Sequence, residues 1–146
     1  MIQPISPDAR TVALLEIAGL NVIFRSGLSS LQAIANLNLT VSRGEFVAIV
    51  GQSGSGKSTT GNSIIDLLPS AAKRSATTLR FDGHNLLGLS ERNMRAIRGR
   101  KIGYVPQDPS ISLDPVKSIG SQIVEALSVH DIAAGTAAIE RARALL

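Results

Sequence analysis

The chain has 146 residues, 44% hydrophobic and 18% charged, which is enough for one domain with a buried core and too apolar for a disordered tail. A balance of 15 Lys+Arg against 11 Asp+Glu leaves a net charge of +4. That excess is too small to point by itself to nucleic acid or anionic lipid. There is no cysteine, so disulfides and thiolate metal sites are excluded. Residues 1–10 contain two prolines and a serine and read as a flexible N-terminus. The apolar stretch from Thr11 to Phe24 is interrupted by Glu16 and Asn21. It falls short of the roughly 20 residues a membrane-spanning helix needs. It reads instead as two short strands, Ala13 to Ala18 and Asn21 to Arg25. A third follows at Ala33 to Val41, where apolar residues alternate from Leu37 onward.

After the turn Ser42-Arg43-Gly44-Glu45 comes Phe46 to Val50, a continuous apolar run of the kind expected for a parallel strand covered on both faces. A Gly/Ser-rich loop leads into a helix predicted from Lys57 to Leu68 and stopped at Pro69. A polar stretch, Ser70 to Thr78, precedes a predicted strand at Leu79 to Phe81 that ends in the turn Asp82-Gly83. Ser90 is the predicted N-cap of a short basic helix closed by Gly99, and Lys101 to Val105 reads as another strand. Pro106, Pro109 and Pro115 mark a loop. Two helices finish the chain, the first placing Ile119, Ile123, Val124 and Leu127 on one face and the second beginning near Thr136.

The strongest local signal is Gly51-Gln52-Ser53-Gly54-Ser55-Gly56-Lys57-Ser58-Thr59. It fits G-x-x-x-x-G-K-[ST] between an apolar run and a helix. Glycines let successive backbone N–H groups turn inward toward a phosphate. The helix N-terminus adds positive potential. Lys57 supplies a point charge to the β- and γ-phosphates, and the Ser58 hydroxyl suits Mg²⁺. These features predict a nucleotide phosphate site. An Asn-Lys-x-Asp segment that would select guanine is absent from the sequence.

Together with this loop, the stretch LRFDGHNLLGLSERNMRAIRGRKIGYVPQDPSISLDPVKSIGSQI resembles the ATP-binding cassette (ABC) transporter ATPases, and most of all the branch that energises uptake of dipeptides, oligopeptides and nickel. The resemblance extends over nearly all of the chain from Leu15. It implies an α/β P-loop NTPase fold of the ABC ATPase type, with an N-terminal antiparallel β subdomain, the start of a helical subdomain and an incomplete core sheet. In these terms residues 11–107 hold the β subdomain and phosphate-loop core, and residues 107–146 hold the glutamine loop and the start of the helical subdomain. Gln107 takes the glutamine-loop position, where a neutral amide can join the Mg²⁺ shell or orient water without adding charge. Phe24 falls where the family stacks an aromatic on adenine, and it also fits an ordinary buried strand aromatic. The site set is therefore Phe24 and Gly51, Ser53, Gly54, Ser55, Gly56, Lys57, Ser58 and Thr59 for nucleotide. Ser58 and Gln107 serve the metal, and Lys57 and Gln107 the chemistry, with ATP and Mg²⁺ as cofactors.

The resemblance also implies partners: transmembrane permease subunits, a second ATP-binding subunit of the same or a related sequence, and an extracytoplasmic solute-binding protein. It implies a peripheral location on the cytoplasmic face of the inner membrane. Ser110 to Val116 is the expected contact loop with the permease. The family's Gly-Gln signature, its acidic strand end and its switch histidine do not occur in the sequence. The last helix also runs to Leu146 without a stop signal. The chain accordingly reads as the N-terminal part of a longer protein, lacking the general base and inactive alone. Two alternatives stay open: a nucleic-acid-associated ATPase on the same cassette, suggested by Arg92, Arg95, Arg98, Arg100 and Lys101, and a non-catalytic nucleotide-binding remnant. No aromatic residues interleave with the basic cluster for base stacking, so nucleic acid is not the expected partner.

Overall fold

The structure is a computed structural model that describes residues 13–108 and 112–146. The expected flexible terminus at residues 1–10 lies outside the described residues, as do Pro109, Ser110 and Ile111 of the contact loop. The chain forms two compact units, Met1–Met94 and Arg95–Leu146.

The first unit is built on a long antiparallel hairpin, β1 (Ala13–Ser26) and β2 (Ser29–Ser42), joined by the two-residue turn Gly27-Leu28. The sequence reading of three short strands is corrected here. The pattern breaks at Gly19 and Asn36 are bulges inside continuous strands. Register shifts fall between Ile17 and Leu20 and between Leu20 and Val22, and Gly19 and Asn36 both have positive φ. Each bulge leaves ladder groups unpaired, and nearby amides satisfy them. The Gly19 N–H donates to Asn38 Oδ1 at 2.9 Å, and the Asn36 N–H donates to Asn21 Oδ1 at 3.0 Å.

On its other edge β1 pairs antiparallel with β3 (Ala72–Ser75) and β4 (Thr78–Phe81), and β4 pairs with the short β5 (His84–Asn85). β3 falls in the stretch read as polar loop. Ile17, Leu20, Val22, Ile34 and Leu79 from these strands, together with Leu86 and Met94, are buried.

Helix α1 spans Lys57–Ile64, four residues shorter than predicted. It ends in a Schellman motif, not at Pro69: Asp66 takes the left-handed conformation, and the Leu67 N–H returns to Asn62 C=O at 2.9 Å. Helix α2 covers Glu91–Arg95, and the Ser90 hydroxyl accepts from the Asn93 N–H at 3.4 Å.

Two predicted strands are not formed. Phe46–Val50 adopts no strand, and Phe46 and Val50 are almost fully exposed. Among the described residues no segment offers it a ladder, and a parallel strand without neighbours loses both its hydrogen bonds and its covered faces. Lys101–Val105 keeps only an isolated bridge, Arg98 to Ile102, and Val105 is exposed.

The second unit contains α3 (Ile119–Val129) and α4 (Gly135–Leu145), matching the two terminal helices expected from the pattern. Ser118 caps α3 by accepting from the Ser121 N–H. Leu127, Ala138 and Ala142 form the buried contact between the helices, with Ile123, Val124 and Ala133 packed against it. No described helix is long and apolar enough to cross a membrane.

Candidate functional site

The loop Gly51–Gly56 runs into α1, and local chemistry dictates its shape. Gly54 and Gly56 adopt φ of 79° and 91°, a region that L side chains rarely enter. The Ser55 N–H closes a turn on Gln52 C=O at 3.3 Å. Gly56 is the N-cap of α1, and its carbonyl accepts the first helical bond from the Thr60 N–H at 2.8 Å and a second from Thr60 Oγ1 at 3.0 Å. A methyl group at Gly56 would stand 2.9 Å from the Ala33 carbonyl oxygen of β2. The hairpin therefore sets how closely the loop can approach, and only glycine fits.

The Lys57 side chain folds back over the loop. Its ammonium donates to Gly51 C=O at 2.7 Å and to Gln52 C=O at 2.6 Å, with Ser55 Oγ at 3.4 Å. Neither a capping side chain nor an acidic residue occupies the first turn of α1, so its N-terminal partial charge is not offset locally. Ser58 is exposed, Thr59 half-buried and Thr60 buried. A left-handed glycine pair, an acid-free helix start and a lysine held over the loop form a donor set suited to a polyphosphate. The exposed Ser58 hydroxyl is an oxygen donor of the kind that hard cations take.

The structure thus gathers Gly51, Ser53, Gly54, Ser55, Gly56, Lys57, Ser58 and Thr59 into one loop-and-helix start. Phe24 lies in the same unit on β1, half-buried, opposite Leu31 of β2 and Ala72 of β3. Gln107 belongs to the other unit and is exposed.

Sequence reasoning passed over Arg74. Its guanidinium, with a side chain 9% exposed, pairs with Asp66 at 3.1 Å, bonds the carbonyl of Ser63 and donates to Leu86 C=O at 3.2 Å. A cation is thereby fixed at the C-terminal end of α1, where the helix dipole favours it. Nothing in the run Ala-Lys-Arg-Ser marks one cation as inward-facing, so only the pairing of β3 with β1 reveals it. Among the described residues no cluster of three His, Asp or Glu could hold a metal.

A family profile for ABC transporters matches residues 34–145. The chain is 42% identical over 134 residues to a probable peptide ABC transporter ATP-binding protein, y4tR, of Sinorhizobium fredii, covering 91% of this chain and 40% of that protein. It is 41% identical over 140 residues to the oligopeptide transport ATP-binding protein OppD of Bacillus subtilis, covering 94% of this chain and 38% of the relative. A peptidoglycan transport ATP-binding protein, YejF, of Agrobacterium fabrum is 41% identical over 140 residues, 95% of this chain and 26% of its own length. The chain spans two-fifths or less of each of these relatives. With a phosphate loop of this geometry inside the matched region, the chain belongs to the ABC transporter family.

Proposed function

We propose that the chain is the nucleotide-binding portion of the energising ATPase subunit of an ABC importer for peptides or a related small solute. The observation that carries this reading is the Lys57 ammonium held over the carbonyls of Gly51 and Gln52 at the acid-free start of α1. When ATP enters, phosphate oxygens replace those carbonyls as partners of Lys57. The N–H groups of the loop and of the first turn of α1 then receive the negative charge. Ser58 would hold Mg²⁺, which neutralises charge on the β- and γ-phosphates when bound. Phe24 stacks on adenine. Gln107 orients water or joins the metal shell and reports occupancy of the γ-phosphate to the segment that follows it.

The names of the relatives support peptide import as the process served. The proposed partners are permease subunits, a second ATP-binding subunit and, indirectly, a solute-binding protein, at the cytoplasmic face of the membrane. The proposed division is a β subdomain with phosphate-loop core at 11–107 and a glutamine loop with the start of a helical subdomain at 107–146. The 146 residues alone are proposed to bind nucleotide weakly and to turn it over negligibly, because no catalytic carboxylate follows an apolar strand in them.

Titration of the complete gene product with a fluorescent ATP analogue tests the reading. Lys57→Ala removes a charged donor from the phosphates and lowers affinity by about 10- to 100-fold, the size of one charge-assisted hydrogen bond. Unchanged affinity in that variant refutes it, and steady ATP turnover by the 146 residues alone refutes their proposed inactivity.

A further inference from the structure

Ser112–Lys117 begins five residues after Gln107, and one side chain of α3 holds its far end. The Gln122 amide oxygen accepts from the Asp114 N–H at 2.9 Å. Its NH₂ group donates to Asp114 C=O at 3.0 Å and to Lys117 C=O at 3.1 Å. Both amide hydrogens and the amide oxygen are therefore engaged with one backbone turn. The turn is stiffened from within: the Val116 N–H donates to Asp114 Oδ1 at 3.0 Å, and the Lys117 N–H donates to Asp114 C=O at 3.2 Å. One helical turn beyond Gln122, Glu125 pairs with Lys117 at 2.9 Å. The segment and α3 together enclose a groove of about 530 Å³ lined by Leu113, Ile119, Ile123 and Val129, so Gln122 also fixes one wall of that groove.

We infer that Gln122 is a positioning residue that binds the segment after Gln107 to α3, so that a displacement of the segment carries the helix with it. The inference rests on the proposed reading of Gln107 as the element that reports nucleotide occupancy, and it adds the side chain that transmits the report. Glutamine is required by its donor count. A glutamate of the same shape keeps the acceptor, loses both donors and sets a negative charge against two carbonyl oxygens. Methionine loses all three bonds, and asparagine is one methylene too short to span them.

The test uses the complete gene product assembled with its permease subunits in lipid vesicles. ATP hydrolysis is followed with and without the permease for wild type, Lys57→Ala, Gln122→Glu and Gln122→Met, and amide hydrogen exchange is read at Asp114. Gln122→Met, which removes the acceptor of the Asp114 N–H, raises exchange there about tenfold, the size of a lost hydrogen bond. Gln122→Glu raises it as well, because its carboxylate repels the carbonyls of Asp114 and Lys117 and loosens the turn. Both variants also lower the permease-dependent gain in kcat by about fivefold or more, the lower end of a typical coupling between sites, while the KM for ATP stays within about twofold. Should Gln122→Met fail to fold, the isosteric Gln122→Glu carries the test. Unchanged exchange at Asp114 overturns the inference, and so does raised exchange with a wild-type permease response, which leaves Gln122 a merely structural clamp. A KM that rises in step with the loss of kcat also overturns it. A wild type indifferent to the permease, or an active Lys57→Ala, overturns the functional reading, and the inference falls with it.

Discussion

Replacing Gly56 by alanine is the most direct probe of the phosphate loop, because two separable penalties meet at that residue. Gly56 has φ 91° and ψ 5°, past the small left-handed region open to other residues, and strain there costs about 1–2 kcal/mol. The added methyl would lie 2.9 Å from the Ala33 carbonyl oxygen and 3.4 Å from Ile34 Cγ1. The closer neighbour is backbone and cannot rotate aside, so relief requires the loop or β2 to shift. Overpacking of this kind costs about 1–3 kcal/mol. Gly54 serves as control: its φ is 79°, but an added methyl meets nothing within 4 Å, so only strain applies. Part of each penalty appears as lost stability and part as lost nucleotide affinity, because the loop can yield by turning its N–H groups away from the phosphates. Nucleotide titration and urea unfolding of the complete gene product read both parts. Gly56→Ala should lose about 2–5 kcal/mol summed over the two measurements, against about 1–2 kcal/mol for Gly54→Ala. If the two variants lose the same amount, the Ala33 contact does not constrain the loop and the steric argument fails.

Further predictions concern the supports of the site. Arg74→Met strips the cation from the end of α1, breaks its bond to Leu86 C=O and leaves Asp66 without that partner. It should destabilise the protein by about 2–4 kcal/mol, because the carbonyls of Ser63 and Leu86 lose a charged donor. Asp66→Asn, at a side chain 41% exposed, keeps an amide oxygen for Arg74 and should cost about 1 kcal/mol or less. Equal losses in denaturant melts of the two variants would contradict a buried role for Arg74. The exposed run Phe46–Val50 should make the 146 residues self-associate when expressed alone. Light scattering should show Phe46→Lys with Val50→Lys shifting the population toward monomer, and a monodisperse unsubstituted chain would contradict this. The Lys117 ammonium is held above its ordinary value of 10.5 by its hydrogen bond to Glu125, by the charge of Glu125 and, less, by Asp114. A raised folded-state value means the pair stabilises fully below pH 10.5 and loses that contribution as pH climbs through the folded value. Stability of wild type relative to Lys117→Met should therefore be level from neutral pH to about 10 and converge above it, and a difference that already disappears near pH 8 would be incompatible with the shift.

How much of this was legible before any coordinates follows from the range of the interactions involved. The phosphate loop is written in nine consecutive residues, and its geometry comes from positive φ at Gly54 and Gly56 and from Lys57 reaching back to Gly51 and Gln52. Every partner but Ala33 is local, so the pattern carries nearly the whole geometry of the loop. Helices α3 and α4 were legible for the same reason, since their bonds close within the segment. The long hairpin was only half legible. Its strands were visible, but nothing local shows that Asn21 and Asn38 satisfy the backbone of bulges at Asn36 and Gly19, since each bond crosses to the opposite strand. β3 was missed because its apolar content is low, and its place is set by pairing with Asn21–Phe24 across an intervening helix.

The misreading of Phe46–Val50 isolates the physical difference most sharply. The five residues have high β propensity, yet they form no strand, while Lys57–Ile64, with three β-branched residues and a glycine, forms a regular helix. Propensity ranks these two segments in the wrong order. A helix satisfies its own backbone, so α1 needs only a start at Gly56 and a stop at Asp66. A strand satisfies its backbone through others, and the continuous apolar pattern states what the segment requires without supplying it. Among the described residues β1 takes β2 on one edge and β3 with β4 on the other, and none of these ladders extends to residue 46. The exposure of Phe46 and Val50 therefore measures an unmet demand for parallel neighbours. It is also why the loop that follows them is better anchored on its helix side, at Gly56, Thr60 and Ala33, than on its strand side.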